Sequence, residues 1–174
     1  IMKHILNRLN IDDMLVTNSV VDALDHSSPK FAVGGKLGLD CTGDEITELG
    51  IILLKDNELL ERMKAITSEV KDLKQYFTDT KNPIAVISVE KTRNQKYLFE
   101  DLKPLFEHIK ILIIVENDKN DVNNSYMLVW RVANNIDSNR DLFIDGHTMC
   151  LDATNKNAFD NFNRRWPDDV DCTK

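Results

Sequence analysis

Two continuous apolar runs constrain the fold of this chain more than any other feature. Residues 83–89 read PIAVISV and residues 111–116 read ILIIVE. Both are rich in β-branched residues and lack the polar alternation of a half-solvated strand, so each is expected to be a buried strand. Between them, residues 94–109 carry a helical pattern that Pro104 should break or restart. Strands alternating with helices build sheets that are mainly parallel. The expected fold class is α/β: an open, mainly parallel or mixed sheet with helices on both faces.

The remaining segments fit this frame. Ile5, Leu6 and Leu9 recur at helical spacing, so residues 2–9 are expected to be helical. Met14–Thr17 reads as a short strand, residues 18–35 as loop and Lys36–Cys41 as a strand. Ile51–Leu54 is either a strand or the lead-in to a helix. From Asp56, read as an N-cap, residues Leu59, Met63, Ile66, Val70, Leu73 and Phe77 step by four and three. That spacing predicts one long helix, whose stripe packs on the sheet or forms a seam with another subunit. Val122–Asn135 is a predicted helix, and Leu142–Asp145 and Met149–Asp152 are predicted short strands suited to antiparallel edges. Phe159, Phe162 and Trp166 are apolar anchors in an otherwise polar tail, and with the stripe at 59–77 they are the expected contact surfaces for another subunit or domain.

An internal repeat runs through the chain. A helix, the triplet Asn10-Ile11-Asp12, a strand and then Leu39-Asp40-Cys41-Thr42 come first. A helix, Asn135-Ile136-Asp137, a strand and then Leu151-Asp152-Ala153-Thr154 come second. The shared order of a helix–strand–strand unit points to duplication. The second copy has the strand ILIIVE ahead of its helix, and the first copy has no such strand, so its match is expected upstream of Ile1.

Composition excludes several classes of function. Hydrophobic residues are 42 % and charged residues 29 %, ordinary globular usage. The net charge of −7 comes without any basic cluster, which argues against nucleic acid and anionic membranes as partners. No apolar run approaches the length of a membrane span, and the N-terminal ten residues are too polar for a signal peptide. Cys41, Cys150 and Cys172 are widely spaced and odd in number, as reduced thiols of a cytoplasmic protein would be.

Residues 22–42, DALDHSSPKFAVGGKLGLDCT, invite a search for chemistry. A phosphate-binding P-loop ending at Gly35-Lys36 would need glycine at position 30 and Ser or Thr at 37, where Lys30 and Leu37 stand. The spacing of Gly34, Gly35, Gly38 and Gly43 also misses the dinucleotide fingerprint. His26 beside Asp25, Ser27 and Ser28 has no nucleophile elbow, and Asp and Ser ahead of Pro29 more simply form turn hydrogen bonds. His4, His108 and His147 are too scattered to suggest a metal site. Asp40 and Asp152 each close a strand, where pockets form in open α/β sheets and where carboxylates also cap turns.

The same stretch resembles the carboxyl-terminal region of UbiD-type decarboxylases, whose pattern is D-x-L-D-x-x-S-P followed by G-x-K-x-G-x-D-A-T. Asp22, Leu24, Asp25, Ser28, Pro29, Gly34, Lys36, Gly38, Asp40 and Thr42 match it, with Cys41 in place of the usual Ala. The second copy, from ILIIVENDKND through the NIDxxRD turn to Leu151-Asp152-Ala153-Thr154, is similar to the same region. Arg165-Trp166-Pro167 fits the tail of the longer quinone-pathway members. The resemblance implies that residues 1–43 end one UbiD-like carboxyl-terminal unit and that 44–174 form a second α/β unit with a tail, packed with the first as one domain.

The resemblance also implies a function for the parent protein. Members are reversible carboxy-lyases of aromatic or unsaturated acids, including precursors of ubiquinone and menaquinone. They use prenylated FMN, a divalent metal (often manganese) and potassium. An arginine and two glutamates on a preceding split-barrel domain perform catalysis, while the carboxyl-terminal domain supports homo-oligomers and walls the pocket. No residue here matches the flavin, metal or Arg–Glu–Glu set. The expectation is therefore a domain without its own active site or cofactor, partnered by the preceding catalytic domain. Asp22, Asp25, Ser28, Pro29, Gly34, Lys36, Gly38, Asp40, Thr42 and Asp152 are its structural or pocket-wall signature. Two non-catalytic alternatives remain: a stand-alone oligomerisation domain, and a receiver-like module in which ILIIVEND supplies acidic residues and Asp145 the phosphoacceptor.

Overall fold

The computed structural model describes residues 1–10, 13–48 and 50–167. Ile11, Asp12 and Cys172 lie outside the described residues. The core is a five-stranded mixed sheet in the order β3-β4-β5-β7-β6. Its strands are β3 (Val70–Tyr76), β4 (Ile84–Val89), β5 (Ile111–Glu116), β6 (Leu142–Asp145) and β7 (Thr148–Asp152). The apolar runs sit where the sequence places them, as adjacent parallel strands pairing Ile84 with Ile111 through Val89 with Glu116. β5 and β7 are also parallel, while β3 and β6 close the two edges antiparallel.

Alternate residues of the central strands enter separate cores, as side chains on a pleated strand must. On one face Ile87, Leu112, Ile114 and Cys150 meet Leu59 and Met63 of α2 (Asp56–Ile66), Leu98 and Phe99 of α3 (Gln95–Asp101), and Phe106. On the other, Val86, Val115 and Ala153 meet Val122 and Leu128, the latter on α4 (Ser125–Asn135). Helices therefore cover both faces. Asn94 and Asn124 cap α3 and α4 by accepting from the amides of Lys96 and Met127. Pro104 restarts the chain as a short 3-10 helix, Lys103–His108, which is the break its missing amide requires. Among the described residues no helix is long and apolar enough to cross a membrane.

The long helix expected over 56–77 is corrected. α2 ends at Ile66, Thr67 is extended, and β3 begins at Val70. Its apparent stripe is the sum of two elements: Leu59, Met63, Val70 and Leu73 all enter the same core, while Ile66 stays exposed. A register shift between Val70 and Asp72 puts Val70 and Leu73 on one face three residues apart, a bulged strand imitating helical spacing. Asp56 is not the cap but the first helical residue, and its carboxylate accepts from Lys74 and from the side chain of Gln75 on β3. Ile51–Leu54 forms neither strand nor helix. Ile52 is instead held by its amide to Glu107 O.

Ahead of this sheet stand α1 (Met2–Leu6) and a separate two-stranded antiparallel sheet of β1 (Met14–Val20) and β2 (Val33–Leu39). Both strands extend into residues 18–35, which were expected to be loop. Only residues 21–32 connect them. The repeat is visible in three dimensions: each copy ends in an antiparallel pair, β1–β2 and β6–β7. In the second copy the connection is just Gly146 and His147, with Gly146 at φ 56° supplying the left-handed turn.

Candidate functional site

The signature stretch folds first on itself. Asp22 accepts from the amide of Leu24, and Asp25 accepts from the amide and hydroxyl of Ser27 at 2.9 and 2.7 Å. The Ser28 hydroxyl donates to Asp25 O and Lys30 O. These are the local turns that Asp and Ser form ahead of a proline. Pro29 is itself exposed.

The folded loop then docks on the second copy. Ser27 Oγ donates to Ile136 O at 3.0 Å, and Arg140 returns a bond to Ser27 O at 2.7 Å. Arg164 donates to Ser28 O and Ser28 Oγ. The His26 ring stands edge-on to Trp166 at 4.9 Å, and Trp166 packs on Phe162. Phe162 is buried with the Arg140 guanidinium 5.2 Å above its ring. Phe162 and Trp166 are thus engaged within the chain, while Phe159 is exposed.

The glycines of β2 permit the closest part of this contact. Asp137 caps α5 (Ser138–Asp141) and accepts from the Gly35 amide at 2.7 Å. A Cβ on Gly34 would lie 2.6 Å from Asp137 Oδ2, and one on Gly35 would lie 2.6 Å from the Asn139 amide nitrogen. Gly38 has ordinary space, with Leu15 Cβ at 3.7 Å. Lys36 is exposed, and no ion pair joins it to Asp40 among the described residues.

The two Leu-Asp-x-Thr ends form the same turn in opposite surroundings. Asp40 Oδ1 accepts from the amide and hydroxyl of Thr42 at 2.9 and 2.7 Å. Asp152 Oδ1 accepts from the amide and hydroxyl of Thr154 at 3.0 and 2.6 Å. Asp40 is exposed, and its Thr42 hydrogen bonds hold its carboxyl below the usual range. Asp152 is buried beside the buried ammonium of Lys156, which also faces Asp141 at 3.4 Å. Burial pushes both carboxyls up. At Asp152 the charges of Lys156 and Lys91 and the Thr154 bonds outweigh it and leave the group below its usual value. At Asp141 burial prevails over Lys156 and Arg140. Lys91 is buried against Asp160 at 2.6 Å and also donates to Thr154 Oγ1. Burial raises the Cys150 thiol well above its ordinary value.

Two clefts remain. One of about 440 Å³ opens beyond the carboxyl ends of β4 and β5, lined by Glu90, Lys91, Glu116, Asn117 and Asp118. Burial, then Asp118, raises Glu116 there. Another of about 290 Å³ lies at the opposite ends of the strands and contains Lys110, whose ammonium is lowered by burial, and His147. Neither suits a metal centre: among the described residues no group of three or more His, Cys, Asp or Glu side chains converges. His108 and His147 contact the carbonyls of Ile52 and Phe106, and His4 contacts Arg8. These donor sets do not fit a flavin-associated metal.

The signature residues are therefore not brought to one cleft. Asp25, Ser28 and Gly34 meet at the contact between copies; Asp40 and Thr42 close the exposed end of β2; Asp152 lies in the core. Sequence reasoning missed the residues that receive them: Asp137, Arg140, Lys156, Arg164 and Lys91. Asp137 and Arg140 were within reach, since both belong to the NIDxxRD turn that marks the repeat.

Comparison with known proteins agrees with this architecture. Residues 51–161 match the family model of the 3-octaprenyl-4-hydroxybenzoate carboxy-lyase C-terminal domain. An uncharacterized protein of Helicobacter pylori strain J99 is 44 % identical over 99 % of this chain, and the chain spans 28 % of that relative's length. An evolved dimeric form of the UbiD-class enzyme HmfF from Pelotomaculum thermopropionicum, in complex with prFMN, shares the fold with a TM-score of 0.51 at 24 % identity, over 63 % of this chain and 26 % of that chain. Vanillic acid decarboxylase from Sedimentibacter hydroxybenzoicus gives 0.53 at 19 %, over 67 % and 28 %. The family model covers well over half of the chain, and the chain therefore belongs to the UbiD carboxyl-terminal domain family.

Proposed function

We propose that this chain is the assembly and pocket-wall domain of a larger UbiD-type carboxy-lyase that decarboxylates an aromatic acid in quinone biosynthesis. The observation that carries the reading is where the signature carboxylates go. Asp22, Asp25, Asp40 and Asp152 are each engaged in a turn, and Asp152 also in a buried ion pair, so none is poised as an acid or base in a cleft. Such a set maintains shape, and the chemistry then belongs to the preceding domain of the parent polypeptide. That domain would hold prenylated FMN, manganese and potassium. The parent would be a cytoplasmic homo-oligomer.

Asp25, Ser28 and Gly34 would serve this role at the contact between the two repeat units, which together would wall the catalytic domain. A receiver-like role is not favoured, because Asp145 ends a short hairpin strand in an ion pair with Lys103. The test is turnover by the purified parent with prenylated flavin, manganese and a panel of aromatic acids. Release of CO2 from a quinone-precursor acid by the parent, and none by residues 1–174 alone, is the expected result. Turnover by this chain alone, or none by the parent on any aromatic acid, would overturn the reading.

A further inference from the structure

The cleft at the amino-terminal ends of the parallel strands is built from both repeat units. Leu9 and Met14 line it from the first unit, Ile111 and Met149 from β5 and β7 of the second. Leu9, Ile111 and Met149 are buried, so its walls are largely apolar. Lys110 stands directly ahead of β5 and lines the same space. At about 290 Å³ the cleft lies at the lower end of the roughly 300–1,000 Å³ range of ligand pockets, a size that suits a small ligand.

Lys110 differs from the other lysines withdrawn from water. Lys91 is buried against Asp160, and Lys156 against Asp141 and Asp152. Among the described residues Lys110 Nζ has no hydrogen-bond or ion-pair partner, and burial lowers its ammonium with no carboxylate to offset it. Two other polar side chains of the cleft are already committed. Asn82 Nδ2 donates to Leu6 O and Leu9 O, and His147 Nε2 donates to Phe106 O. A partly desolvated ammonium without a partner costs the fold free energy and returns none to it. Such a cation among apolar walls is complementary to an anion that carries an apolar body.

We propose that this cleft binds a small carboxylate with a compact apolar body, about one ring in size, its carboxylate on Lys110 Nζ and its body against Leu9, Met14, Ile111 and Met149. The ligand supplies the countercharge that the fold omits, and the apolar walls reduce the screening of that pair by water. The ammonium selects against a neutral ring, and the walls select against an anion with no apolar body. Because both repeat units line the cleft, the bound ligand ties the segment from Leu9 to Met14 to the ends of β5 and β7.

Site-resolved acylation of lysines in the full-length parent tests the proposal, read by peptide mass spectrometry with benzoate as the probe. Lys96, exposed on α3, is the internal reference. A one-ring ligand in an open cleft binds at about 1 mM, so about 10 mM benzoate should slow labelling of Lys110 about tenfold and leave Lys96 unchanged. Benzamide, which lacks the charge, and acetate, which lacks the body, should each slow it less than about twofold at the same concentration. No slowing by benzoate, equal slowing by acetate or benzamide, or a Lys110 that the reagent never reaches in the ligand-free parent would each overturn the proposal. Lys110→Met separates binding from structure. Since Nζ bonds to nothing in the fold, the thermal midpoint of the ligand-free variant should hold or rise, and a clear fall refutes the assignment. Protection in a parent that releases no CO2 from any aromatic acid would support the cleft and refute the proposed activity, so the two claims fail separately.

Discussion

Replacing Gly35 with Ala tests the contact between the two repeat units at its tightest point. The new Cβ would stand 2.6 Å from the Asn139 amide nitrogen and 2.9 Å from both Asp137 Oδ1 and Ser138 Oγ, where ordinary contact begins at 3.4 Å. The two side-chain atoms can rotate away. The backbone nitrogen cannot, because it opens α5 and donates to Asp137 Oδ1. Gly35 has no left-handed φ, so alanine meets a steric barrier and no conformational one. Overpacking of this kind costs about 1–3 kcal/mol, and lengthening the 2.7 Å bond from Gly35 to the Asp137 carboxylate adds about 1 kcal/mol. The sum of about 2–4 kcal/mol corresponds to a fall of roughly 1–2 M in urea midpoint at a slope of about 2 kcal/mol/M. Trp166 fluorescence reports the same contact through its packing on His26, in a Trp130→Phe background that removes the exposed second indole. Gly38→Ala is the control, since its Cβ would meet only Leu15 at 3.7 Å, and it should stay within about 0.5 kcal/mol of the parent sequence. Equal midpoints for the two variants would refute the packing argument.

The ion pairs and the loop give four further outcomes. Lys156→Met leaves Asp141 and Asp152 buried without their shared cation and should destabilise by about 3–5 kcal/mol, read as a urea midpoint. Asp152 sits below its ordinary 3.8 when folded, so its contribution is present above that value and fades as pH falls through the folded one; Asp152→Asn should flatten the acid limb of stability against pH. Asp141, raised by burial, acts with the opposite sign: its folded form gains stability on protonation, and that gain is lost as pH rises through its folded value. Arg164→Ala releases the Ser28 carbonyl and hydroxyl, so limited proteolysis should cut residues 21–32 several-fold faster, a loss of about 1 kcal/mol.

The legible parts of the fold were those whose signal is local. β4 and β5 are uninterrupted apolar runs bounded by loops, and Pro104 marks its own break, so neighbouring residues suffice to place them. The segment 56–77 was misread because a bulge shifted Leu73 into the face of Val70 and produced a three-residue step inside a strand. A spacing of that kind carries no trace of the hydrogen-bonded partner, β4, that decides between helix and strand. The candidate site divided in the same way. Asp25, Ser27 and Ser28 make turns with their neighbours, and the sequence suffices to expect them. The ammonium of Lys156 between Asp141 and Asp152 depends on chain segments that meet only after folding. Gly34 and Gly35 permit the close approach, but nothing in the sequence named Asp137 and Asn139 as the groups approached.

The unequal hairpins carry a consequence for assembly. Residues 21–32 of the first copy reach across to the second copy's turn, whereas the second copy connects its strands through Gly146 and His147 alone and has no such arm to extend. A contact in which each unit clasps the next in one direction would, if every unit carried the clasp, propagate head to tail into an open filament. Among the described residues the clasp is present once. The short turn of the second copy thus presents no arm with which it could clasp a further unit in the same direction.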